Sequence, residues 1–204
     1  MAFRRFDELE IPAGLLNKFK HDLWGEVAWN SEIELTETIY YKCGGTKRKF
    51  FNYMLMDGKI FNYFRRVFDG NINDEVITLF LSGCFYIGKG QADRPSAHFE
   101  EARDNKNANE KVAEIRRIWE QNDGVFVLKF FGNATSYEAY TREAILIEFA
   151  DLENLANSRK GVYYGGIDTW HCNRLRNIGK CYMSQIILEC YGQHNAAVLK
   201  NDVF

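Results

Sequence analysis

The sequence predicts an α+β fold, in which strand-like runs alternate with helical segments. Three observations support this. Residues 50–56, 84–88 and 125–131 are short apolar runs rich in aromatic and β-branched side chains, with the length of buried strands. Between them, apolar residues recur at helical spacing with charged residues on the other side. Breakers such as Asp57-Gly58, Asp69-Gly70-Asn71 and Asp123-Gly124 separate the runs.

A chain of 204 residues with 46% apolar side chains can bury one core of ordinary domain size. The net charge of −2 gives no global positive field, so nucleic acid would have to be met by local basic clusters. The five cysteines, Cys43, Cys84, Cys172, Cys181 and Cys190, are odd in number and lack framework spacing. The Met-Ala-Phe-Arg-Arg start has no apolar signal region, and no stretch approaches the roughly 18 apolar residues of a membrane span. The expectation is an intracellular protein of cytoplasm or nucleus, with reduced thiols and no membrane association.

In chain order, Leu15, Leu16, Phe19 and Leu23 suggest a short amphipathic helix, and residues 33–41 alternate like a strand. Residues 42–49 form a basic run broken by Gly44-Gly45, either a solvated loop or a phosphate-contacting one. The strand at 50–56 leads into a helix through Ile60, Phe61, Phe64, Val67 and Phe68, with Arg65 and Arg66 outward. Asn73-Asp74-Glu75 starts a second helix, which Gly83 ends. Cys84-Phe85-Tyr86-Ile87-Gly88-Lys89-Gly90 follows. Its apolar half reads as a strand and its glycines as the turn that leaves the strand and approaches something bulky or charged.

A helix is expected to open at Pro95 with Arg94 at its cap, placing Arg94 and His98 at the helix mouth, where a phosphate could bind. A further helix over 110–121 turns Val112, Ile115, Ile118 and Trp119 inward and leaves Lys111, Arg116 and Arg117 outside. After the strand at 125–131, Thr135 or Ser136 caps the longest helix, 137–155, with Glu138 in its first turn. Residues 162–166 read as a possible edge strand, and a last helix spans 181–191. The organisation expected is an N-terminal extension (1–49), a central domain (50–170) and a C-terminal helical extension (171–204).

Glu143 is the most informative single residue. Its helical neighbours three and four positions away, Ala139, Tyr140, Leu146 and Ile147, are apolar or aromatic, so its carboxylate points at the packed side. A buried carboxylate needs a partner: either a structural ion pair, with Arg142 or Arg94, or a role as metal ligand or acid/base group in a cleft. Oxygen ligation would favour Mg2+ or Mn2+ over zinc. Tyr53 and Tyr86 sit in strands, where tyrosine also serves as core. His171, Cys172, Cys181 and His194 match no standard zinc spacing.

As a set, these residues resemble the GIY-YIG nuclease family. Tyr86-Ile87-Gly88, followed by Arg94, His98, Arg142-Glu143 and Asn157, carries the resemblance, while the first family motif is reduced to Phe51-Asn52-Tyr53. The 33 positions from Tyr53 to Tyr86 (86 − 53) exceed a hairpin. With residues 51–57, 138–144 and 155–165, this makes the chain similar to the catalytic domain of animal endonucleases that carry ankyrin repeats and a LEM domain.

The resemblance implies a mixed sheet of about three strands, with a helical insertion between the first two. It also implies a single cleft lined by Tyr53, Tyr86, Arg94, His98 and Glu143. Glu143 would hold one Mg2+ or Mn2+ ion on the scissile phosphate, and Arg94 would stabilise developing charge. Tyr53, in preference to Tyr86, would take the proton from the attacking water with His98 assisting. Lys89 would neutralise or orient, and Asn157 would brace the site. The implied activity is hydrolysis of branched or flapped DNA. Lys47, Arg48, Lys49, Arg116, Arg117, Arg159 and Lys160 are the expected phosphate contacts, with Lys42, Arg65, Arg66, Arg174 and Arg176 as further candidates. The rivals are a catalytically silent nucleic-acid-binding relative and an interaction domain whose aromatics are only core.

Overall fold

The computed structural model describes residues 25–45, 47–104, 109–191 and 196–203, so the helix expected around residues 15–23 lies outside the described residues. The elements are α1 (Glu26–Cys43), β1 (Phe50–Asp57), α2 (Gly58–Val67), α3 (Asp74–Ser82), β2 (Cys84–Gly90), α4 (Ser96–Arg103), α5 (Glu110–Glu120), β3 (Val125–Ala134), α6 (Ser136–Ala150) and α7 (Cys172–Tyr191). None of the described helices is long and apolar enough to cross a membrane.

The three strands lie in the order β2-β1-β3, and both pairings are antiparallel, where a mixed sheet was implied. The direction follows from the insertion. Met56 pairs with Cys84, and the Asp57 N–H donates to the Gly83 carbonyl at 2.8 Å. The α2-α3 excursion therefore returns the chain to the end of β1 that it left. Asp57 does not start a hairpin; its carboxylate accepts from the N–H groups of Lys59 and Ile60 and caps α2.

Alternation along β1 divides the core. Met54 and Met56, with Ile87, Phe126 and Leu128, face a cluster shared with α1, α2, α3, α6 and α7. Tyr53 and Leu55 face the opposite way, onto Phe99 and Ala102 of α4 and Val112, Ile115, Ile118 and Trp119 of α5. A register shift at Leu55/Met56 lets both Phe85 and Tyr86 join this second face. Thr135 and Glu138 form a capping box that starts α6.

Several expectations are corrected. Residues 33–41 belong to α1, whose buried positions Ala28, Ser31, Leu35 and Ile39 follow helical spacing, while Ile33 and Tyr41 of the apparent alternation are exposed. Residues 162–166 form no strand. The Tyr164 N–H donates to Thr141 Oγ1, and its ring packs on Tyr137 and Tyr140, which holds this segment against α6. α6 ends at Ala150 rather than 155, and α7 begins at Cys172, nine residues before the expected 181. α4 begins at Ser96 with Pro95 as its cap, so Arg94 sits one residue before the cap. Gly88, Lys89 and Gly90 remain in β2, paired with residues 51–53. Lys111 is buried, contrary to its expected outward position.

Candidate active site

Five consecutive residues of β2 organise the site, each serving a different group. Tyr86 contributes its own ring, 6.1 Å from that of Tyr53 and 5.3 Å from that of His98 between centroids. Ile87 is clasped at its backbone by Asn157. The Ile87 N–H donates to Asn157 Oδ1 at 3.0 Å, and Asn157 Nδ2 donates to the Ile87 carbonyl at 2.7 Å. Gly88 leaves room for the phenol of its cross-strand partner Tyr53, since a Cβ there would lie 2.7 Å from the phenol oxygen. Lys89 reaches α6 and pairs with the Glu143 carboxylate at 3.4 Å. A Cβ at Gly90 would lie 2.5 Å from Arg94 Cβ, so that glycine admits the turn carrying Arg94. The glycines serve close approach rather than a turn out of the strand.

Tyr53 is only 1% exposed, and its hydroxyl lies 2.6 Å from His98 Nε2. Burial raises the Tyr53 pKa well above that of free tyrosine. The neighbouring Tyr86 adds to this, the Arg94 charge opposes it and the Glu143 charge adds a smaller increase. Burial also raises Tyr86, with Glu143 next in effect. His98 is fully buried, and burial together with the Lys111 and Arg94 charges pushes its pKa down to about 3, so its ring is neutral. On its other side, His98 Nδ1 lies 2.7 Å from the Lys111 ammonium, which also meets the Glu101 carboxylate at 3.5 Å. Arg94 is exposed at the mouth of this pocket.

Glu143 has 12% of its side chain exposed. Burial raises its pKa and Lys89 opposes the rise. Its ion pair is with Lys89, not with Arg142 or Arg94. Arg142 instead turns to Glu32 of α1 at 2.9 Å. The Lys89 ammonium also lies 3.7 Å above the centre of the Tyr140 ring. Glu143 fits a Mg2+ or Mn2+ site of limited kind. It is a single, mostly buried carboxylate whose cation position already holds the Lys89 ammonium. Among the described residues, no group of three or more His, Cys, Asp or Glu could hold a metal. A hard ion held by one carboxylate takes its remaining ligands from water and phosphate.

The basic residues divide. Arg159 and Lys160 are exposed on a loop tied to the site at both ends, by Asn157 on Ile87 and by Gly161 packed on Ala144 beside Glu143. Lys47 and Lys49 are exposed. Arg48 is paired with Glu138 at 3.1 Å, and Lys42 donates to the Gly165 carbonyl. Arg116 donates to the Ala102 carbonyl, and Arg117 pairs with Asp57 and Glu114, so both brace α5. Arg174 is paired with Glu34 and stacked on Trp170. Arg65 and Arg66 line a shallow surface hollow with Lys59, Asn62 and Asp123.

Lys111 and Glu101 are the residues that sequence reasoning missed. Helical spacing could have found Lys111, because it lies on the same arc as Ile115 and Ile118, at i, i+4 and i+7.

A family model described as the LEM-3-like GIY-YIG domain matches residues 50–203. The mouse (Mus musculus) protein named ankyrin repeat and LEM domain-containing protein 1 is 32% identical over 149 residues, 71% of this chain and 28% of that protein. The human (Homo sapiens) protein of the same name is 34% identical over 122 residues, 56% of this chain and 20% of that protein. Its Caenorhabditis elegans homolog is 30% identical over 127 residues, 59% of this chain and 17% of that protein. The chain thus spans less than a third of the length of these relatives. No solved structure gives a significant match.

Proposed function

The chain belongs to the LEM-3-like GIY-YIG nuclease family, and on that premise we propose that it is a divalent-metal-dependent endonuclease that hydrolyses phosphodiester bonds in branched or flapped DNA. The observation that carries this reading is the convergence of Tyr53, Tyr86, His98, Arg94, Lys89 and Glu143 on one half-strand. A Mg2+ or Mn2+ ion at Glu143 would supply Lewis-acid polarisation of the scissile phosphate.

The chain's own residues do the rest. Arg94 opposes the charge that builds on the phosphoryl oxygens. Deprotonated Tyr53 accepts a proton from water as the water oxygen bonds to phosphorus and the bond from phosphorus to the departing ester oxygen breaks. Deprotonating a free tyrosine at neutral pH costs about 4 kcal/mol for roughly 3 units of pKa. Burial of Tyr53 adds to that cost, so the neighbouring imidazole of His98 and the charge of Arg94 must offset it. Lys89 neutralises and orients the Glu143 carboxylate, the group that would hold the ion. Asn157 fixes the strand. Arg159, Lys160, Lys47 and Lys49 contact phosphates without reading bases, so binding weakens steeply with salt.

The test incubates the protein with labelled linear, flapped and four-way DNA, with Mg2+ or with chelator, beside Glu143→Gln. Cutting of the branched substrates that needs Mg2+ and falls at least 100-fold in Glu143→Gln is expected. Equal cutting by the variant would remove the assigned metal site. Binding without cutting would leave a silent DNA-binding relative.

A further inference from the structure

Lys111 is a cation with an unusual position. It is 9% exposed, in the first turn of α5, and its ammonium is directed at an imidazole nitrogen. It also lies 5.2 Å from the centre of the Tyr86 ring, on the same polar pocket. Burial lowers its pKa, and the Glu101 carboxylate, which forms an ion pair with the amine at 3.5 Å, opposes this.

A protonated amine has three donors and no acceptor. At 2.7 Å from Lys111, His98 Nδ1 must therefore be the acceptor and carry no hydrogen. The ring is neutral, so its only proton is on Nε2, which faces the Tyr53 oxygen at 2.6 Å. In the opposite tautomer, Nδ1–H would point at the ammonium, and Nε2 would accept and retain the phenol's own hydrogen.

We propose that Lys111 is a positioning residue that fixes His98 as its Nε2–H tautomer, so that the imidazole donates to the Tyr53 oxygen and leaves the phenol's proton free to depart. The proton that leaves Tyr53 departs on the side of the partly exposed Tyr86 hydroxyl, its other hydrogen-bond partner, to water at the cleft, and Nε2–H remains in place against the phenolate. Lys111 never touches DNA or the reacting water; it acts through His98. Glu101 completes the relay by holding the ammonium from its outer side. This inference rests on the nuclease reading for its purpose but not for its geometry.

The groups that face the Tyr53 hydroxyl or its relay are Tyr86 from β2, Arg94 from the turn before α4, His98 and Glu101 from α4, Lys111 from α5 and Glu143 from α6. The tautomer is read by 15N-resolved imidazole NMR of the full chain, with His98 assigned by its disappearance in His98→Gln. Wild type is expected to show protonated Nε2 and bare Nδ1 across about pH 6 to 8. Lys111→Met is expected to populate the Nδ1–H form. Protonated Nδ1 in wild type, or an unchanged ring in Lys111→Met, overturns the proposal.

The second readout is single-turnover cleavage of Mg2+-loaded enzyme against pH. Lys111→Met is expected to move the rising limb up by about one unit, a loss of about tenfold near neutrality that shrinks as pH rises, with DNA affinity unchanged. A loss equal at every pH overturns the proposal. If wild type cuts no DNA, the nuclease reading fails, while the NMR still decides the role of Lys111.

Discussion

Two largely buried cations lie on opposite sides of the sheet. Arg142 on α6 faces Glu32 of α1 at 2.9 Å, and the Tyr182 hydroxyl of α7 donates to the same carboxylate. Burial works against the Arg142 charge, but the Glu32, Tyr182 and Glu138 charges outweigh it and raise its pKa. Lys111 on α5 faces a neutral imidazole at 2.7 Å, its carboxylate partner is farther away at 3.5 Å, and its pKa is lowered. The first cation faces a full opposite charge, although its Nε has no hydrogen-bond partner, and ties three helices together. The second is only partly compensated, and its remaining field falls on His98 and, through it, on Tyr53. A buried cation reads as structural when a carboxylate closes it and as chemical when a polarisable neutral group does.

The difference can be broken most forcefully at Arg142. Arg142→Ala leaves Glu32 among packed helices without its guanidinium and should cost about 3–5 kcal/mol in denaturant unfolding. Adding Glu32→Leu to Arg142→Met should recover most of that loss. Full stability of Arg142→Ala would show that the triad does not hold the helices.

The effect of pH is smaller and isolates the other side. His98 has a folded pKa of about 3 against 6.5 for the free group. Between those values the unfolded chain binds more protons, so stability rises with pH across that window and is lost as pH falls through it. From pH 6.5 to 5 the loss from His98 amounts to about 2 kcal/mol. His98→Gln should flatten the measured slope by that amount, and an unchanged slope would mean that His98 titrates normally.

The smallest effect is expected at Lys111 itself. Lys111→Met should change unfolding stability by about 1 kcal/mol or less, because its amine leaves one neutral acceptor unpaired and no buried carboxylate. A cost like that of Arg142→Ala would make the two cations equivalent and remove the contrast.

The fold was legible wherever the local pattern agreed with the tertiary environment. The three strand runs, the Asn73 start and Gly83 end of α3, and the Thr135 cap of α6 all stand where residue chemistry put them. The pattern misled in α1, where Ile33, Leu35, Ile39 and Tyr41 alternate but only Leu35 and Ile39 are buried. It also misled at 162–166, where Tyr163 and Tyr164 suit a strand but Gly165 and Gly166 both take positive φ.

In the site, the inward direction of Glu143 was readable from its apolar helical neighbours. Its partner was not, because Lys89 reaches it from a strand 54 positions earlier (143 − 89). Lys111 was hidden by its own residue type. A lysine is assumed to be solvated, although its spacing with Ile115 and Ile118 placed it inward.

The clasp of Asn157 on Ile87 has one more consequence. β2 is the outer strand of the sheet, and such a strand ordinarily offers its backbone to any passing chain. Here the Asn157 amide occupies both polar groups of Ile87, and the Ala156 N–H takes the Phe85 carbonyl at 2.7 Å. At Phe85 and Ile87 that border is covered by the same segment that carries Arg159 and Lys160. The exposed Arg159 and Lys160 and the strand presenting the phenols are therefore locked in a common register. A change in one cannot slide past the other.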